Sequence, residues 1–148
     1  MGYIVVGLDG SLTSRAAFAE AVREAEWRNA SIVAVHAVPL PAVMGTEFGA
    51  VIELDALRDA GEEFLTTEMA ELESRYEGGF PVPVTATSSL GHSGAEIIKA
   101  AEGGDDGPAE MVVLGSRGLG GFKGLLLGSV TTYAVHHLTC PLLIVPAS

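Results

Sequence analysis

The chain has little cysteine, little positive charge and no apolar run long enough to cross a membrane. Its one cysteine, Cys140, excludes an internal disulfide, and its place before Pro141 suits a small packed residue better than a reactive thiol. Only 8 Lys and Arg stand against 19 Asp and Glu, a net charge of −11. Such a charge repels a polyphosphate backbone at long range, so nucleic acid is not an expected partner. A single nucleotide is a different matter, because backbone N–H groups and a helix N-terminus hold phosphate locally whatever the global charge. The longest apolar runs, such as 142–145, fall far short of the ~20 residues a spanning helix needs. A soluble protein with no membrane partner is therefore expected. Met1, Gly2 and Tyr3 lead straight into apolar residues, without the basic stretch and cleavage site of a signal peptide, and a cytoplasmic location is expected.

Chemistry-bearing clusters are also scarce. His36 lies inside an apolar strand pattern, and the adjacent His136 and His137 cannot share one helix face, so no metal centre is expected. No ordered Ser/His/Asp set, carboxylate pair or general base can be placed, and no catalytic residue is named.

What the chain does have is a regular alternation of strand and helix patterns. Residues 3–8 are apolar without alternation, as in a strand covered on both faces. From 13 to 28, Ala17, Phe18, Ala21, Val22 and Ala25 recur at helical spacing opposite Arg15, Arg23 and Glu26. A second buried strand is expected over 31–38, stopped by Pro39 and Pro41. After a loop, Leu54, Leu57, Phe64, Leu65, Met69, Leu72 and Tyr76 mark a long amphipathic helix closed by Gly78 and Gly79. A third strand follows over 82–88, a third helix over 95–101, a fourth strand over 110–114, a fourth helix over 130–138 and a last strand over 141–146. This order predicts a single α/β domain over 1–148, Rossmann-like, with one open parallel sheet of five strands covered by helices on both faces. In such sheets ligands bind beyond the carboxyl ends of the strands, where the winding reverses, which directs attention to the segments after strands one and four.

After the fourth strand come Gly115, Gly118, Gly120, Gly121, Gly124 and Gly128, followed by Ser129. Glycine lets backbone approach an anion closely and adopt positive φ, so that successive N–H groups converge on phosphate oxygens. Ser129 is expected at the N-cap of the fourth helix, where its hydroxyl and the N–H groups of Val130 and Thr131 complete an anion site. Phe122 and the leucines 125–127 suggest a loop that is anchored, and Arg117 and Lys123 stand where they either add positive charge or are simply solvated. The spacing is neither a P-loop nor the dinucleotide fingerprint. At the other segment, Asp9 has two readings: a carboxylate accepting from a base amine or ribose hydroxyl, or an Asx turn at the start of the first helix.

Gly115 and Gly118, then nine residues, then Gly128 and Ser129 resemble the ATP-binding signature of the universal stress protein family. The likeness extends to Val5, Val6, Gly7, Leu8, Asp9, Gly10 and Ser11 in the opening strand, and to His36, Ala37 and Val38 in the second. It continues at Gly91, His92, Ser93 and Gly94 before the third helix, and from Cys140 to Val145 in the last strand. The resemblance implies a sheet of order 3-2-1-4-5 with the last strand at an edge. It also implies an ATP site in which Gly7, Leu8 and Asp9 meet the adenine or ribose and Ala37 or Val38 packs on the base. Gly115, Arg117, Gly118, Gly128, Ser129, Val130 and Thr131 would surround ribose and phosphates. Ala37 stands where the family commonly has valine, implying looser packing of the base. ATP, with or without Mg2+, and AMP or cyclic AMP are the nucleotides it brings into consideration.

The leading expectation is a nucleotide-dependent regulatory or protective stress-response factor, with slow hydrolysis at most. A dimeric scaffold with a vestigial site and a nucleotide-transferring enzyme stay as alternatives. Leu142, Leu143, Ile144 and Val145 are apolar at every position, and an apolar edge strand invites pairing, so a homodimer through this strand is expected, its length limited by Pro141 and Pro146.

Overall fold

A computed structural model describes residues 1–40, 50–118 and 127–146, the side chains of 50–53 apart. In chain order the elements are β1 (Tyr3–Gly7), α1 (Leu12–Arg28), β2 (Ser31–Val38), α2 (Ala50–Glu73) and β3 (Val84–Leu90). They continue with α3 (Ser93–Glu102), β4 (Met111–Gly115), α4 (Ser129–His137) and β5 (Leu142–Val145). The strand pairs are parallel, as the alternation of strands and helices predicts, and the sheet order is β3-β2-β1-β4-β5, as the family resemblance implies.

The two sheet faces divide the residues of each strand by parity. Ile4, Val6, Ile32 and Ala34 are fully buried with Ala17, Phe18, Ala21 and Val22 of α1 and Leu65 and Leu72 of α2. Val5, Val35 and Val112 pack on the other face with Ile97 and Ala101 of α3 and Ala134 of α4. Strands covered on both sides have no room for polar alternation, which is why β1 and β4 read as unbroken apolar runs.

Helix α2 is held to α1 by a two-pronged ion pair. Arg15 donates through Nε to Glu68 Oε1 at 2.8 Å and through Nη2 to Oε2 at 3.0 Å, while Glu68 is only 3% exposed. The hydrogen bond that Arg15 donates to Glu68, reinforced by the carboxylate charge, raises the Arg15 pKa further, so the guanidinium stays charged.

Most boundaries lie within one or two residues of the sequence expectation, and three of the differences have a visible cause. Strand β3 begins two residues later than 82 because Pro81 and Pro83 cannot donate to a ladder; its register runs from Ile32 opposite Val84 to Val38 opposite Leu90. Helix α3 begins at Ser93, since the His92 side chain caps it by accepting from Ala95 N. Helix α4 begins at Ser129, with Gly128 in the N-cap position.

Candidate functional site: a cleft at the reversal of the sheet

The chain leaves β1 toward β2 on one side and β4 lies on the other, so the winding reverses between β1 and β4. Beyond the carboxyl ends of β1, β2 and β4 opens a cleft of about 510 Å³, a size suited to a small organic ligand.

The β1 end is built as a tight, hydrogen-bonded turn. Gly10 turns the chain with φ of +84°, a conformation that disfavours other residues. Asp9 Oδ1 accepts from Ser11 N at 2.9 Å and from Ser11 Oγ at 2.5 Å. Ser11 in turn caps α1, its Oγ accepting from Ser14 N at 3.1 Å. The Asx-turn reading of Asp9 is thus realised through Oδ1, while Oδ2 is directed at Gly118 so closely that a Cβ there would collide with it.

The β4 end is drawn onto the same place. Thr13 Oγ1 donates to the Arg117 carbonyl, and Thr131 Oγ1, almost fully buried, donates to the Gly115 carbonyl at 2.7 Å. Gly128 N donates to Ser116 O at 2.6 Å. These bonds fasten α1, the exit of β4 and the start of α4 to one another, so the first turn of α4 opens on the cleft. The leading N–H groups of such a turn have no partner within their own helix.

The glycines here serve a different purpose from the expected one. Gly115, Gly118 and Gly128 do not adopt positive φ. A Cβ on Gly115 would lie 2.9 Å from Thr13 Cβ and 3.0 Å from its backbone, and one on Gly128 would lie 3.2 Å from Arg117 Cα and Gly118 N. Their absent side chains let three backbone segments close on one another. Gly120, Gly121, Phe122, Lys123, Gly124, Leu125 and Leu126 lie outside the described residues.

Of the residues predicted for the site, Gly7, Leu8, Asp9, Ala37, Gly115, Arg117, Gly118, Gly128, Ser129, Val130 and Thr131 line the cleft. Val38 does not; its side chain turns to the opposite sheet face, where Cγ2 approaches Gly61 of α2, leaving Ala37 as the wall residue. Ser129 is the first helical residue rather than the cap. Gly128, already bound to Ser116, supplies the capping carbonyl, which accepts from Thr132 N and Thr132 Oγ1 at 2.9 Å each.

The structure adds His36, Ser11, Ser14, Pro39, Ser93 and Ile97 to the lining. The cap of α1 is Ser11, where the sequence points to Asp9; the places of His36 and Ser93 depend on strand register and on where α3 starts. Among the described lining residues Arg117 is the one arginine or lysine and Asp9 the one carboxylate, so the cleft does not share the strong negative balance of the chain.

These features define a doubly wound α/β protein with a cleft at its switch point. The model of the Universal stress protein family matches residues 1–146, and the chain belongs to that family. The universal stress protein Rv2005c of Mycobacterium tuberculosis is 31% identical over 144 residues, 95% of this chain but 44% of that protein. The chain thus spans less than half the length of the curated relatives it matches. Among solved structures, UspA from Lactobacillus plantarum superposes with a TM-score of 0.83 at 24% identity, covering 97% of each chain. A universal stress protein in complex with cAMP superposes at 0.71 and 24% identity, over 99% of this chain and 98% of that one. The Archaeoglobus fulgidus protein in complex with dAMP gives 0.63 at 19% identity, over 97% of each.

Proposed function

We propose that residues 1–148 act as one universal stress protein domain that binds an adenine nucleotide, ATP foremost, in the switch-point cleft and serves as a nucleotide-dependent regulatory or protective factor. The observation that carries this reading is the meeting of Asp9 with Gly118 at the mouth of α4. A carboxylate able to accept from a base amine or ribose hydroxyl thereby stands beside a phosphate-seeking helix start. In this reading the base lies against Ala37 and the end of β1. The ribose and phosphates lie along Gly115, Arg117, Gly118 and the amides of Ser129, Val130 and Thr131.

The complexes of two fold neighbours with cAMP and dAMP support an adenine nucleotide as the ligand class. Among the described residues no three His, Cys, Asp or Glu side chains are grouped as metal ligands, so Mg2+ enters only as a companion of the phosphates. We place the protein in the cytoplasm. Among the described residues no helix is long and apolar enough to cross a membrane.

The test is to denature freshly purified protein and identify the released nucleotide by chromatography, with calorimetric titration of the stripped protein by ATP, AMP and cyclic AMP. Stoichiometric adenine nucleotide, or saturable binding, is expected. Neither release nor binding would leave the scaffold reading, and turnover with a defined acceptor would favour the enzyme reading.

A homodimer joined at β5 belongs to the same proposal. The strand lies at the edge of the sheet, is apolar throughout, and offers an open ladder to a second copy.

A further inference from the structure

The imidazole of His36 reaches a backbone carbonyl just where the sheet stops. The β1–β2 register ends at Gly7 opposite Val35. One residue on, Leu8 N donates to Val35 O at 2.9 Å, and His36 Nδ1 lies 2.8 Å from Leu8 O. A carbonyl can only accept, so Nδ1 carries the hydrogen. The contact holds in the neutral ring and in the imidazolium, which both donate through that nitrogen. His36 thus supplies by side chain a bond that the ladder no longer provides.

The ring has a second partner. Phe64 of α2 packs on it with centroids 4.2 Å apart, and the far edge of Phe64 lies 3.0 Å from the place a Cβ of Gly10 would take. The residues on either side of Asp9 are therefore both braced: Leu8 by the His36 bond, Gly10 by the Phe64 ring. Helix α2, which carries Phe64, is itself fixed to α1 through Arg15 and the buried Glu68.

We propose that His36 and Phe64 are positioning residues that set the turn from Leu8 to Gly10 and so hold the Asp9 carboxylate in place for the ligand. This rests on the nucleotide reading of the cleft for its consequence, though not for its geometry. It makes α2 a lever on the site: a displacement of α2 reaches Asp9 through one ring and one hydrogen bond.

Three substitutions in the full chain test this. His36→Phe keeps an aromatic ring against Phe64 but removes the donor. His36→Asn restores a donor nitrogen the same number of bonds from Cα. Phe64→Leu leaves the donor and thins the wall behind Gly10. ATP titrated into wild type and variants by calorimetry is expected to bind about tenfold more weakly to His36→Phe, the size of one lost hydrogen bond, and within about threefold of wild type to His36→Asn.

A second measurement needs no nucleotide. The Ser11 amide, which donates to Asp9 Oδ1, should exchange with solvent faster in His36→Phe and Phe64→Leu than in wild type and His36→Asn. Nitrogen NMR of His36 should show Nδ1 protonated at neutral pH. If folded His36→Phe matches wild type in both readouts, if His36→Asn is as impaired as His36→Phe, or if Nδ1 proves unprotonated, the proposal is overturned. Should wild type bind no ATP, the nucleotide reading fails, and the Ser11 exchange contrast alone decides the positioning role. Should His36→Phe not fold, unchanged Ser11 exchange in Phe64→Leu overturns the proposal.

Discussion

Asp9, just past β1, and Gly118, just past β4, touch so closely that even a methyl group on Gly118 would strike the Asp9 carboxylate. Gly118→Ala is therefore expected to push Asp9 Oδ2 aside while its other oxygen stays tied to Ser11. Because Gly118 is exposed, the fold has room to absorb the change, whereas the ligand site does not. ATP affinity should fall about tenfold or more, the loss of at least one charge-assisted hydrogen bond, with the melting temperature little changed. Calorimetric titration beside a thermal melt separates the two effects, and unchanged affinity would remove Asp9 from the site.

Gly115 and Thr131 should behave in the opposite manner. Alanine at Gly115 meets Thr13 backbone, which cannot rotate away as a side chain end can, and overpacking of this kind costs about 1–3 kcal/mol. Thr131→Val keeps the shape but strips the Gly115 carbonyl of its 2.7 Å donor, a loss of about 1–3 kcal/mol where the group stays dry. Urea unfolding should register both as shifts of midpoint with little change of slope.

How far the sequence reveals this molecule follows from which signals are local. Apolar runs without alternation at β1 and β4, and the helical stripe Ala17, Phe18, Ala21, Val22 and Ala25, each report burial by their own spacing, and the sheet follows from their order. The glycines of the β4 exit announce a close approach. They do not say what approaches, and the answer, Thr13, Asp9 and the 117–118 backbone, is tertiary. For Val38 the parity of β2 decides: with Val35 and Ala37 facing the cleft, Val38 must point to α2. His36 was unreadable for the same reason, since its partner Leu8 belongs to another strand.

Alkaline pH should loosen the protein at Tyr3. Burial, with Cys140 and Asp106 adding to it, raises the Tyr3 phenol above its ordinary value of 10.0, and its hydroxyl donates to Ala100 O at 2.9 Å and Gly107 O at 3.1 Å. A folded pKa above the unfolded one means that the contribution is complete below the unfolded value and is lost as pH rises through the folded value. The midpoint of denaturant unfolding in wild type should therefore fall on raising the pH above about 10. Tyr3→Phe should start less stable and show a shallower decline. The thiol of Cys140, also raised by burial, acts in the same direction, and Cys140→Ala in the Tyr3→Phe background isolates its share.

The β5 edge supplies the last prediction. Leu143 and Val145 pack on the α1 side of the sheet and Leu142 on the other, while Ile144, half-buried, is in neither cluster formed by the described residues. Lysine is a residue that blunts sheet edges against pairing, and at position 144 its long stem can lie along the sheet while the ammonium reaches water. Ile144→Lys should convert the proposed homodimer to monomer in multi-angle light scattering at micromolar concentration and leave the circular dichroism spectrum intact. Ile144 stands in register with Leu114, a wall residue of the cleft, so light scattering beside circular dichroism, and not ATP titration, is the measurement that reads the pairing. Wild type eluting as a monomer would refute the edge pairing.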